Sequence, residues 1–198
     1  MRSKELWAVI FITFLLSCNN QKTSTPNHQQ RDSLENHTFF PVTEYLLGQL
    51  KEIDSLPITP LKIITLNGKS DSLWMKKEDI RIFAQPFLHP EIDTTNFKKI
   101  FRERSFLDQT IDAVTFSYDP IDKLPDSLPL KRWDVYIDPQ KNSIKRIYLV
   151  KETFTNGLRQ TFQLTWKPNQ WCKITTITEQ AGKQPLIKEE TMKWNFSE

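Results

Sequence analysis

Cysteine, histidine and glycine are scarce in this chain, at two, three and four of 198 residues. Two cysteines, Cys18 and Cys172, cannot build a disulfide framework or a multi-cysteine zinc site. So little glycine argues against a glycine-rich phosphate loop. The histidines, His28, His37 and His89, follow neither an H-x-x-x-H nor an H-E-x-x-H spacing. A G-x-S-x-G elbow, an S-x-x-K pair and a D-x-D-x-D-G calcium loop are also missing. No apolar run approaches the ~20 residues that span a bilayer as a helix. Charge of one sign never accumulates: 27 basic and 24 acidic residues interleave, which does not suggest nucleic acid as a partner.

What is present begins at the N-terminus. Arg2 and Lys4 precede an uncharged run from Leu6 to Leu16, eleven residues long. That length suits a signal-peptide h-region. The run ends in Leu15-Leu16-Ser17-Cys18 and gives way abruptly to Asn19-Asn20-Gln21-Lys22. This segment resembles the lipobox of bacterial lipoprotein precursors, with a small residue before the cysteine and apolar residues two and three positions before it. The resemblance covers the first eighteen residues. It implies removal of residues 1–17 and acylation of Cys18, whose thiolate accepts a diacylglyceryl group. Each buried methylene then contributes ~0.8 kcal/mol, so two or three chains anchor far more firmly than one. With Cys18 acylated, Cys172 has no disulfide partner. Asn19, where many inner-membrane lipoproteins carry Asp, implies a Gram-negative outer membrane. The lack of acidic residues at 19–23 favours the periplasmic face. Loss of the signal removes Arg2, Lys4 and Glu5, leaving a near-neutral mature chain.

Residues 19–36 are polar and contain Pro26, which reads as a disordered tether with a mean reach of roughly 20–25 Å. Residues 37–198 suffice for a single domain. Its expected class is α+β: N-terminal helices, an N-terminal β-hairpin and an antiparallel meander of five or six strands. Val42, Leu46, Leu50 and Ile53 recur three or four apart and predict a helix over 42–53 after Pro41. Leu61–Leu66 reads as a strand, and Asn67-Gly68 as the hairpin turn into Ser70–Met75. A helix is expected over Lys77–Ala84, ended by Pro86 and Pro90, and another short one within 92–106 around Phe97 and Phe101. From Thr110 the grammar is that of strands. Val114, Phe116 and Tyr118 alternate, as do Trp133, Val135 and Ile137, then Phe162, Leu164 and Trp166. Turns are expected at 138–142, Asn156-Gly157, Pro168-Asn169 and Ala181-Gly182. Asp-Ser-Leu recurs at 32, 54, 71 and 126 without a fixed period, which reads as turn or cap chemistry.

Candidate chemistry is sparse. His89 reads as a loop histidine. Asp108, Asp112 and Asp119 fall close together, but nearby acids are common and do not by themselves make a glycosidase pair. Asp112 would share a face with Val114 and Phe116, a conflict that a bulge would relieve. Cys172, mid-strand beside Ile174, reads as a core thiol. Trp133, Trp166 and Trp194 sit among core-like neighbours. Trp171 lies on the face of Lys173 and Thr175 and is the tryptophan expected to be exposed. No catalytic, cofactor or metal residue is assigned. Cys18 is the one functional residue, and its role is lipidation. The expected activity is a non-catalytic binding or envelope-assembly module, with the membrane as one partner and an envelope protein or apolar ligand as another. The alternative is a carrier of lipid in a sheet with helices resting inside it, a reading by fold analogy.

Overall fold

The computed structural model describes residues 38–196. The signal segment, Cys18, the tether, His28 and His37 lie outside the described residues. Helix α1 (Val42–Ser55) starts after Pro41, and Val42, Leu46, Leu50 and Ile53 are all buried. One face of the helix therefore carries the apolar stripe that the spacing predicts. Burying each such side chain contributes ~1.5–3 kcal/mol. Strands β1 (Leu61–Leu66) and β2 (Lys69–Trp74) form the expected hairpin. Asn67 and Gly68 both have positive φ, 49° and 79°, as a two-residue type I′ turn requires. Asn156-Gly157 repeats the arrangement between later strands, with φ of 53° and 75°.

Helix α2 (Asp79–Leu88) follows, then β3 (Phe101–Asp108), β4 (Ala113–Pro120), β5 (Leu130–Asp138) and β6 (Ser143–Thr155). The chain continues with β7 (Leu158–Lys167), β8 (Trp171–Gln180) and β9 (Leu186–Lys193). All nine strands join one antiparallel sheet in the order β2-β1-β9-β8-β7-β6-β5-β4-β3. Strands β3 to β9 are a meander of sequential neighbours. The sheet is completed by β9 pairing with β1, Leu61 opposite Lys193.

The pairing defines two faces. Tyr118, Trp133, Leu149, Leu164 and Ile174 lie opposite one another on successive strands. These residues and the stripes of α1 and α2 make one core. This inner face is rich in rings. Tyr118 stacks on Trp133 at 4.5 Å, Phe101 meets Trp133 edge-on at 4.8 Å, and Phe87 of α2 meets Trp166 at 5.5 Å. Toward β1 and β9 the same face turns polar, where Glu190 pairs with Lys62 and Lys188 at 3.0 Å each.

Four expectations need correction. The sheet has nine strands, more than the meander and hairpin expected. No helix occupies 92–106: Phe97 sits in a turn at φ 66°, and β3 begins at Phe101. The Phe97–Phe101 spacing is helical, but the two rings meet edge-on at 5.8 Å beneath Trp133 in a turn-to-strand join. Pro86 lies inside α2 and does not end it. It stands in the last turn, and the carbonyl it leaves without a donor belongs to Ile82, an exposed residue, where water can serve it. The conflict at Asp112 dissolves because β4 begins at Ala113 and Asp112 is a turn residue with φ 47°.

Trp133 is fully buried, and its indole N–H finds no hydrogen-bond partner among the described residues. Trp133→Ala should lower the unfolding free energy by ~3–5 kcal/mol. Trp133→Phe should cost less than ~2 kcal/mol, because it keeps a ring and removes an unsatisfied donor. Urea unfolding of the full chain measures both, and equal losses would contradict the stacking account.

Candidate functional site

The outer face is built by the residues that alternate with the core. On β5, Arg132, Asp134 and Tyr136 point away from Trp133 and Val135. Asp134 is only 2% exposed, yet it is a carboxylate. A buried charge of this kind needs partners. Arg132 Nη2 donates to both of its oxygens, at 2.8 and 3.1 Å, and Tyr136 Oη donates at 3.5 Å. Burial, and then the Asp134 charge, pushes the Tyr136 phenol above its ordinary pKa. The phenol therefore stays protonated and remains a donor. The Arg146 guanidinium lies over the Tyr136 ring at 4.0 Å, a cation–π contact.

Arg146 faces Tyr136 as a direct cross-strand pair, and a β-bulge follows immediately. Tyr136 pairs with Arg146, but the next pair is Ile137 with Ile144, which leaves Lys145 as the extra residue. Bulges re-aim side chains in this way. Lys145 Nζ reaches across to donate to the carbonyls of Ile111 and Asp112 at 2.9 Å each. These carbonyls belong to the β3–β4 turn. The result is a cleft of about 260 Å³ lined by Ile111, Tyr136, Lys145, Arg146, Lys167 and Trp171. Three of the six are cations, two are aromatic and none is acidic. Among the described residues no carboxylate lies within ion-pair distance of Lys145, Arg146 or Lys167. Asp108 and Asp138 act on Arg146 and Lys145 only at longer range. Both carboxylates are held by their own turns. Asp108 accepts from the Thr110 hydroxyl and N–H, and Asp138 accepts from the N–H groups of Gln140 and Lys141.

Other sequence candidates fall elsewhere. Asp119 is paired with Arg104. It sits at the opposite end of β4 from Asp112, about 20 Å along the strand, so the three acids do not converge. His89 is an exposed residue just past α2. Cys172 is fully buried, and burial raises its thiol pKa well above the ordinary value, which removes the thiolate that a nucleophile needs. Asp71-Ser72-Leu73 lies in β2, while Asp126-Ser127 is in a turn. Trp171 is half-buried on the outer face, as alternation predicts, but the most exposed tryptophan is Trp74, at 63%. No group of three or more His, Cys, Asp or Glu side chains among the described residues could hold a metal. A larger hollow of about 510 Å³ includes Asp126, Lys131, Glu152 and Arg159. It neutralises much of its own charge, because Arg159 Nη2 donates to both Glu152 oxygens at 3.1 Å.

Sequence reasoning missed Tyr136, Lys145 and Arg146 as a group. The available signal was Lys145-Arg146 directly after a turn, opposite Tyr136. It becomes meaningful only with the bulged register. No family model, curated protein or solved structure matches the chain.

One further titratable group faces inward. Lys151 of β6 is buried, and its ammonium donates to the carbonyls of Pro86 and His89 at the end of α2. Burial pushes its pKa down to about 8. The unfolded chain has an ordinary lysine pKa near ~10.4, so it holds more protons between the two values. Stability should therefore rise with pH from about 8 to about 10.5, by as much as ~3 kcal/mol. Below pH 8 both states are charged and the burial cost is fully present. Urea unfolding at stepped pH should show this rise, and Lys151→Met should flatten it. An identical pH slope in the variant would rule Lys151 out as its source.

Proposed function

We propose that this chain is a lipid-anchored envelope protein that acts as a non-catalytic binding module, held at the outer membrane through Cys18 and facing the periplasm. The location rests on Leu15-Leu16-Ser17-Cys18 and the polar residues that follow. The observation that carries the binding-module reading is the division of labour between the two faces of the sheet. The inner face is filled by α1, α2 and a continuous core. The outer face carries an open cleft of cations and aromatics. A nucleophile–base pair or convergent acids would favour an enzyme, and the candidate residues are spread apart instead.

The carrier reading is weaker for the same reason. A lipid carrier needs an apolar cavity of several hundred Å³. The apolar surface that would line it is in contact with Leu46, Leu50, Ile80 and Phe87 of the two helices.

Two measurements test these readings. Cys18→Ala should release the protein from membranes or leave it as uncleaved precursor, while the unaltered chain fractionates with the outer membrane and takes up labelled fatty acid. Unchanged membrane partitioning in the variant would overturn the anchor. Solvent extraction of the purified full chain should yield no stoichiometric non-covalent lipid. Recovery of one bound lipid per chain would favour the carrier.

A further inference from the structure

We propose that the outer-face cleft binds a ring-bearing anion, a carboxylate or phosphate attached to a sugar ring. This deepens the binding-module reading and rests on it. Charge is the first argument. Lys145, Arg146 and Lys167 meet at one hollow with no acidic lining residue. The Arg146 Nε is buried and has no hydrogen-bond partner among the described residues. An unsatisfied buried donor is costly, and more so when it is charged. The guanidinium therefore keeps unused hydrogen-bonding capacity at the cleft, and charge-assisted bonds from guanidinium to carboxylate or phosphate are the strong ones.

Shape is the second argument. The Tyr136 ring is already covered on one side by Arg146. Trp171, half-buried on the outer face with Lys167 opposite it on β7, is the remaining platform. Trp171 in the lining offers an apolar indole surface on which the C–H face of a sugar ring can pack. The volume of about 260 Å³ lies below the ~300–1,000 Å³ of drug-sized sites. It equals about nine waters at ~30 Å³ each, room for one ring with its charged substituent. An acyl chain would find no enclosure there.

Construction is the third argument. The bulge between β5 and β6 places Lys145 and Arg146 side by side, and the Ile111 and Asp112 carbonyls hold Lys145 in place. Asp134, itself held by Arg132, accepts from the Tyr136 hydroxyl behind the cleft. Lys145 and Arg146 are thus positioned before any ligand arrives, which lowers the ordering cost of binding.

The test is saturation-transfer NMR on the full chain in a detergent without a sugar headgroup. The probes are D-glucuronate, D-glucose 6-phosphate and D-glucose, with inorganic phosphate as a competitor. Both sugar anions should bind at least about tenfold more tightly than glucose, ~1.4 kcal/mol. Inorganic phosphate should compete about tenfold less well than glucose 6-phosphate. Arg146→Gln and Trp171→Leu should each weaken binding about tenfold or more. The exposed Lys167→Gln gives the same direction should Arg146→Gln fail to fold, and Trp74→Leu should leave binding unchanged. Three results would overturn the proposal: no binding of either sugar anion, phosphate competing as well as glucose 6-phosphate, or unaltered affinity in the folded cleft variants. Binding is read apart from the membrane, so a failure here leaves the anchoring result standing.

Discussion

The structure depends on covering one face of a nine-stranded sheet with only two helices. Uncovered, that face would expose Trp133, Trp166, Leu149, Leu164 and Ile147, all fully buried here. The helices cover it because α1 presents a continuous stripe and α2 brings Phe87 onto Trp166. Phe39 closes the edge near β4, 5.0 Å from Tyr118 and 6.0 Å from Trp133. The Phe40 N–H donates to the Tyr118 hydroxyl at 3.2 Å. That bond ties the residues before α1 to β4, one strand in from the β3 edge of the sheet. Lys151 fixes the other end of the cover by holding two carbonyls at the end of α2. Those carbonyls have no intrahelical donor, and a buried ammonium needs acceptors, so each satisfies the other.

Much of this was legible in the sequence because it is local. The α1 stripe, the two Asn-Gly turns and the alternation of β7 require only near neighbours to be understood. Strand β3 was illegible for a physical reason. Its residues Arg102, Arg104, Ser105, Phe106 and Leu107 are exposed at a sheet edge, so no alternation of burial constrains their types. The one buried member, Phe101, is spaced from Phe97 as on a helix. Pro86 misled because proline ends a helix only where the missing bond matters. The strand count came out low because β3 and its turn read as helix, and because edge strands carry weak patterns.

The outer site was legible only in part. Alternation places Trp171 outward and Cys172 inward, and that follows from residue types alone. Regular antiparallel pairing of β5 and β6 puts Arg146 opposite Tyr136, but Lys145 owes its place to the register shift that follows that pair, and a single-residue slip moves a side chain to the other face. Asp134 was hidden for a similar reason. Its burial is produced by Arg132 and Tyr136 two positions either side on the same strand face. Together they form a charged cluster that sequence hydropathy reads as plain surface.

The two faces use charge in opposite ways, and that difference bears on function. Inside, Glu190 has Lys62 and Lys188, and Lys151 has two carbonyls. Among the described residues, the buried Lys151 and the half-buried Glu190 are both answered by groups of the protein itself. On the outer face Asp134 and Glu152 are likewise answered by Arg132 and Arg159. Lys145, Arg146 and Lys167 depart from this pattern. Their cationic charge gathers at one cleft beside aromatic rings, and among the described residues no carboxylate stands at contact distance. Surface lysines alone would be solvated and unremarkable. Arg146 is different: its guanidinium gains the Tyr136 ring, but its buried Nε has no hydrogen-bond acceptor among the described residues. A sheet whose inner face is spent on its own core has only its outer face and edges left for recognition. On that outer face, the Arg146 donor is the group a bound anion would complete.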